Sequence, residues 1–555
     1  MSAKNYDAEV ACKCLCYVMC VPFFLPIIAR EQLYVAAVRA LFKANTSLQD
    51  RETQYSQQMK ALWDLSPGDA DACALYALSL LGQLRSVGGY VTDTEAATTA
   101  QLIQLLLQAP RQQVHSRSTI TRAPPILYTA KDKLEDCVDQ FPNHVGAWHY
   151  LTHVYDEDEP DMASQGVPAA LKLAALAPKS NVAQHMASHF FLRSGNWTQV
   201  VLYNQAAVSA SDSYCKAVSK GNDCDADNRW HALEWQLFGQ LQQCGVTAAY
   251  TSYLRIQGVA ASMNYTGDYV QWLYRSYAHM QLQSLNSMGI IPLRNSTDND
   301  TAMLPPPLYD TGAVQNAADI MDHFWPPHAE AHALLARVFS LTYGSDSARL
   351  QNPTVVTTVN LLLARLDTIA SAQSNLVNSS ASSLNRDMLT QLTIVQLQAK
   401  ALVGASACAA GLPACNVTSW MALMDDALAR HTSISNSTTL PSLKIAPTPE
   451  FYGNLLVATN GNATTARDLF LRCLNELPGR MQCLLGLART SNKLNDLPGA
   501  IGRYKQLQSQ CSTGDKAFPA LKEALSRLSP LSPPPSSKKG LLRRALQVEA
   551  QVVVA

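Results

Sequence analysis

The chain is 555 residues long and carries 43 basic and 43 acidic side chains, with 47% hydrophobic and 15% charged residues. That length exceeds one small core and calls for several domains or a long repeat array. Zero formal charge removes the basic footprint that a phosphate backbone requires, so no nucleic-acid partner is expected, and 25 Gly with 28 Pro is globular usage.

In chain order, residues 15–29, LCYVMCVPFFLPIIA, form the one unbroken apolar stretch of note, between Lys13 and Arg30. It fits a signal-peptide core better than a spanning helix, which needs about 20 residues. Residues 1–29 are therefore expected to be a signal peptide or membrane-targeting segment, although residues 1–14 have no net positive charge; a buried first helix is the alternative. Membrane contact is expected only through this segment, if it is uncleaved. From residue 30 onward, apolar residues recur at spacings of three and four, as in ALYALSLLGQL (74–84) and VNLLLARLDTIASA (359–372), and predict helices nearly throughout.

Breaks rich in Pro, Ser, Thr and Asn fall at 109–125, 286–312 and 433–449. They delimit an N-terminal helical region (30–108), a His-rich region (125–258), a helical middle region (259–432) with a long loop at 286–312, and a C-terminal repeat region (448–511). Residues 529–555 read as a low-complexity basic tail. In the C-terminal region Ala466, Phe470, Cys473 and Pro478 follow the small/aromatic/small/Pro spacing of a tetratricopeptide second helix, and Ala500, Tyr504 and Leu507 repeat it 34 residues on. Upstream, AWHYLTHVY (147–155) and AQHMASHFF (183–191) share an H-x3-H at an offset of 36, and RWHALEWQLFGQLQQ (229–243) starts a third unit. The expected fold is an all-α, tetratricopeptide-like superhelix with loop insertions.

Of twelve His, five lie in 46 residues: His144, His149, His153, His185 and His189. An i, i+4 pair puts two imidazoles on one helical face, as a metal needs for two ligands from one helix. In the 34-residue register, with Val200, Asn204 and Ala207 in second-helix slots, His185 and His189 line the inner groove, His149 and His153 lie one unit away, and His231 lies on the next. His149, His153, His185, His189 and His231 are therefore candidate ligand-binding residues. The first four are candidate ligands for Zn or another divalent metal, with Asp156 as a further ligand or an orienter. Packing histidines without chemistry would leave the same pattern. His328 and His332 flank Glu330 as H-x-E-x-H, which turns the Glu away; a solvated helix start is expected there, and a solvated acidic loop at 156–159. No phosphate-binding loop, dinucleotide fingerprint, nucleophile elbow or kinase signature occurs.

Outside the first 29 residues there are ten Cys; Cys215 with Cys224, Cys408 with Cys415 and Cys473 with Cys483 are close enough in sequence to close short disulfide loops. No CxxC pair supports a zinc ribbon or a thioredoxin-type site. Nine N-x-[ST] sequons occur against roughly four by chance. Asn295, Asn299, Asn378, Asn436 and Asn462 are the expected glycosylation sites, whereas Asn196 sits in a tight turn. These features predict the secretory pathway or the extracellular space, with the cytoplasm as the alternative.

The segments REQLYVAAVRALF (30–42), HVGAWHYLTHVYD (144–156), GVPAALKLAALAP (166–178), AQHMASHFFLRSGNW (183–197) and RWHALEWQLFGQL (229–241) resemble a family of bacterial tetratricopeptide-repeat proteins. That family carries an H-x3-H-x-x-D stretch followed by an HMPSH-type stretch. The resemblance, over about residues 30–511, implies an all-helical superhelix and no particular substrate. Ala187 stands where the family has Pro, and residues 1–29 replace its leader. The expected function is a binding scaffold whose concave His-rich groove holds a protein, peptide or small ligand. A metal-dependent or acid/base enzyme using the clustered histidines is the alternative.

Overall fold

The computed structural model describes residues 29–86, 125–156, 160–221, 224–262, 327–342, 350–377, 383–433 and 446–529. The expected targeting segment up to residue 28, the loop 286–312 and the tail from 530 lie outside the described residues, as do Asn295, Asn299, Asn378 and Asn436.

Among the described residues the chain is helix and turn, with no strand. The first ten helices are α1 Ala29–Leu41, α2 Leu48–Leu65, α3 Ala70–Ser86, α4 Pro125–Gln140, α5 Val145–Tyr155, α6 Pro160–Leu176, α7 Asn181–Arg193, α8 Trp197–Ala217, α9 Ala226–Gln242 and α10 Val246–Ser262. Then come α11 Pro327–Thr342, α12 Pro353–Val377, α13 Ser383–Ala409, α14 Val417–Ser433, α15 Thr448–Ala458, α16 Ala463–Glu476, α17 Met481–Lys493, α18 Leu497–Gln510 and α19 Pro519–Leu528. Each helix from α1 to α10 packs on the next, and so does each from α11 to α19; in addition α5 packs on α7 and α7 on α9. First helices of successive hairpins thus pack in a row, α5 on α7 on α9, with each second helix folded back on its own first helix, the arrangement of a tetratricopeptide-like solenoid.

The sequence sets the hairpin ends locally. Two residues beyond the ends of α7, α15 and α17 stand residues with left-handed φ, respectively Gly195, Asn460 and Asn495. Asn196, Asn462 and Asp496 then cap the next helix, accepting from backbone N–H groups of its first turn. Asn462, one of the expected glycosylation sites, is an exposed residue in this capping role. In the C-terminal repeats, Ala466, Phe470, Cys473, Ala500, Tyr504 and Leu507 are all buried, as the 34-residue register predicts.

The last repeats do not end an open rod. Met481, Leu484, Leu485, Ala488, Tyr504, Leu507 and Phe518 share one core with Trp230, Leu233, Leu237, Leu241 and Tyr253 of α9 and α10. Polar contacts fasten the same seam: Trp197 Nε1 donates to Gly479 O (2.8 Å), Met481 N to Gln242 Oε1 (3.0 Å) and Asp515 N to Cys244 O (2.9 Å). At Gly195, with φ +69°, an added Cβ would stand 2.4 Å from Pro478 O, so the turn after α7 requires glycine for both conformation and approach. Helix α17 also contributes Cys483 and Leu487 to a second core built from α11 to α16.

Five disulfides engage ten described cysteines. Three join the expected neighbours, Cys215–Cys224, Cys408–Cys415 and Cys473–Cys483. The other two, Cys73–Cys137 and Cys244–Cys511, span 64 and 267 residues.

Candidate functional site

Helices α5, α7 and α9 are first helices of three successive hairpins, and each turns an i, i+4 aromatic pair inward: His149/His153, His185/His189 and His231/Trp235. Within α5 and α7 the pairs meet through their outer ring nitrogens, with His149 and His153 Nε2 3.1 Å apart and His185 and His189 Nε2 3.0 Å apart. Between helices, the ring centroids of His185 and His231 are 4.5 Å apart, and Trp235 stacks on His189 at 4.3 Å and 26°. One nitrogen from each of His185, His189 and His231 lies within 4.8 Å of the others. His149 and His153 stand on the same face of α5 as its C-cap Asp156, two turns and one turn earlier respectively.

The partners of the inner ring nitrogens fix the tautomers. His189 Nδ1 lies 2.7 Å from Asp156 Oδ2, a carboxylate that only accepts, so His189 donates there. His185 Nδ1 lies 2.7 Å from Asn204 Oδ1, and Asn204 Nδ2 is committed to Val200 O at 2.8 Å, so the amide faces His185 with its acceptor. Both rings therefore donate from Nδ1, and their two Nε2 atoms face each other across 3.0 Å.

Electrostatics follow from burial. His185 is 5% and His189 8% exposed. Burial, reinforced by the rings of His231 and His189, pushes His185 well below the usual imidazole range, against the hydrogen bond to Asn204. Burial likewise lowers His149. Asp156 is 4% exposed, and burial alone would raise its carboxyl; His189 and Arg193 outweigh that and hold it below the usual range. Arg193 Nε stands 3.2 Å from Asp156 Oδ1, and the guanidinium also donates to the Asp156 carbonyl. His231 Nδ1 is 3.9 Å from the buried carboxylate of Glu234.

Several sequence expectations change here. Asp156 does not open a solvated loop: it is buried because it is the anion that orients His189. His144 lies apart from the cluster and caps α5, with Nδ1 accepting from Ala147 N at 3.0 Å and Nε2 2.9 Å from Asp71. His332 is buried on α11 instead of marking a solvated helix start. Sequence reasoning missed Asn204, Arg193 and Trp235 as members of the site. The signal for Asn204 was a polar side chain in a second-helix slot reserved for small or aromatic residues. For Trp235 it was the H-x3-W that replaces H-x3-H in the third unit. A second group, Glu450 with Cys473 and Cys483, also lies within ligand distance, but its thiols are joined as a disulfide.

No family model and no curated protein matches this chain. Solved structures that resemble it are the tetratricopeptide domain of P58(IPK), Naa15/Naa10 bound to HypK-THB, and the APC/C hetero-tetramer Cut9-Hcn1. The first is 11% identical, with TM-score 0.20, covering 80% of this chain and 100% of that one. The second is 12% identical, with TM-score 0.26, covering 93% and 70%. The third is 11% identical, with TM-score 0.24, covering 94% and 97%. Superposition at those scores adds nothing to the fold read from the helix rows themselves.

Proposed function

We propose that this chain is a tetratricopeptide-type scaffold carrying a divalent transition-metal centre ligated by His185, His189 and His231. The observation that carries this reading is the pair of Nε2 atoms 3.0 Å apart whose partner nitrogens both donate outward. Two lone pairs at that distance repel unless a cation lies between them, either a proton or a metal ion. Burial works against placing that proton on the His185 ring. A Zn ion bound at about 2.0–2.1 Å holds two tetrahedral nitrogens about 3.4 Å apart, so His185 and His189 need open by only a few tenths of an ångström, while His231, whose nitrogen lies within 4.8 Å of theirs, has the longer way to close.

Asp156 and Asn204 are the outer partners that fix ring orientation and raise ligand basicity. Imidazole donors suit Zn, Cu, Ni or Fe. Three of them leave a tetrahedral ion one position for water or for a donor atom of a bound molecule, the ligand count of catalytic zinc sites. His149 and His153, half-buried two turns and one turn from Asp156, are the groups such a molecule would meet next. Burial of His185 and His189 favours an ion over a peptide at that pair. The ten paired cysteines support an oxidising compartment, the secretory pathway or the extracellular space.

The test is direct. Purified full-length protein is expected to take up about one equivalent of Zn2+ per chain. Free metal at 100 times Kd should then stabilise the fold by about 2.7 kcal/mol, a rise in Tm that a strong chelator reverses. His185→Ala with His189→Ala removes both uptake and stabilisation. Wild-type protein with no stoichiometric uptake and a chelator-independent Tm would return this chain to a metal-free helical scaffold for a protein or peptide partner.

A further inference from the structure

We infer that the disulfides flanking α9 assemble the third ligand, so that cation binding at His185, His189 and His231 is coupled to oxidation of Cys244 and Cys511. The inference rests on the metal reading above and adds its regulation. His185 and His189 come from one helix and are oriented by Asn204 and Asp156 of neighbouring elements. His231 arrives separately on α9, together with the Trp235 ring that covers His189.

What holds α9 in place is unusual among the described helices, for α9 alone has a disulfide cysteine two residues beyond each end, Cys224 before and Cys244 after. Its N-cap, Asp225, has φ +49° and makes no side-chain cap bond. Instead the Cys215–Cys224 loop brings Arg229 Nη2 within 3.0 Å of Cys215 Sγ, and Ser211 donates to the Asp225 carboxylate at 2.6 Å. At the other end Cys244, at φ +59°, is bonded to Cys511, and Gln510 Nε2 donates to Gln242 O at 2.7 Å. Asp515 accepts from Thr247 N and Thr247 Oγ1 at 2.9 and 3.0 Å. The C-terminal end of α9 is therefore held by residues about 270 positions away along the chain, with Cys244–Cys511 as its one covalent bond there, while the end bearing His231 is fastened through Cys215–Cys224.

Closing that bond converts two thiols to a disulfide. It transfers two electrons and two protons to a small-molecule disulfide, which leaves as two thiols. Before closure the chain offers a two-imidazole site, and after it a three-imidazole site. Linkage is reciprocal, so the factor by which the disulfide tightens the metal is the factor by which the metal protects the disulfide.

The experiment uses the full oxidised chain and Co2+ as the probe, read by its visible absorption and by competition with a chromophoric chelator. Cys244→Ser with Cys511→Ser is expected to weaken Co2+ binding about tenfold or more, within the range of coupling between sites. His231→Ala should weaken it similarly, and the combined variant should lose no more than His231→Ala alone. Cys408→Ser with Cys415→Ser, far from the seam, should bind as wild type.

Where the serine variant fails to fold, wild-type protein is treated with a phosphine reductant. Loss of the cobalt band should then track the reduction of Cys244 and Cys511 by mass spectrometry, and saturating Co2+ should slow it. Wild-type affinity in a folded Cys244→Ser/Cys511→Ser protein, losses that multiply in the combined variant, or a cobalt band that survives reduction would each overturn the inference. Wild-type protein that binds no Co2+ would instead remove the metal reading itself.

Discussion

Asn204 shows how one side chain decides what a histidine can do. It is wholly buried in a second helix and commits its amide N–H to Val200 O. That leaves only the carbonyl oxygen for His185 Nδ1 and forces the lone pair onto Nε2. Asn204→Ala removes the constraint, and Zn2+ affinity should fall about 10–100-fold, the usual effect of deleting an outer-shell partner. Competition with a chromophoric chelator measures it, and unchanged affinity would take Asn204 out of the site. Histidine spacing alone announced that rings share a face, but not which nitrogen each ring turns inward. That depends on partners 19 and 33 residues away.

For the helices, the C-terminal repeats show a tight fit between neighbours. In α17, a Cβ at Gly486 would stand 2.3 Å from Phe470 Cζ, and Phe470 is fully buried with nowhere to move. Gly486→Ala should therefore destabilise the protein by about 1–3 kcal/mol in urea unfolding despite the gain in helix propensity. Helices α17, α18 and α19 also meet at Glu523, whose carboxylate accepts from Arg489 at 2.6 Å and from Tyr504 at 2.9 Å. Burial would raise that carboxyl, but Arg489 and Tyr504 outweigh it and hold it below the usual range.

A lowered folded-state pKa means a contribution that is complete above the unfolded value and lost as pH falls through the folded one. Glu523→Gln should accordingly lower Tm at neutral pH, with the difference from wild type shrinking as the solution is acidified. A constant difference down to acid pH would show that Glu523 acts only through packing. The 34-residue spacing made these helices and their buried slots legible, because small and aromatic residues recur wherever helices approach closely.

Over the whole molecule, the chain folds back so that its last repeats cover its third His-bearing hairpin. Opening Cys244–Cys511 releases a loop of 267 residues in the unfolded state, whereas Cys408–Cys415 closes only seven. Replacing the long-range pair by serine should cost about 2–5 kcal/mol, and more than replacing the short one, because unfolded-chain entropy grows with loop length. Thermal unfolding of the two double-serine variants compares them, and an equal effect would mean that native packing, not the crosslink, sets the stability of the seam.

Sequence alone determined the all-helical repeat architecture and the first-helix placement of His149, His153, His185, His189 and His231, and it marked three cysteine pairs as near enough to close short loops. These rest on periodicity and proximity along the chain, which local spacing records. Only the tertiary structure decided that Cys73 pairs with Cys137 and Cys244 with Cys511, that Asp156 is buried as the anion of His189, and that α9 is held by residues near the other end of the chain. Those pairings join positions between 33 and 267 residues apart, and no local pattern encodes which distant surface a hairpin will meet.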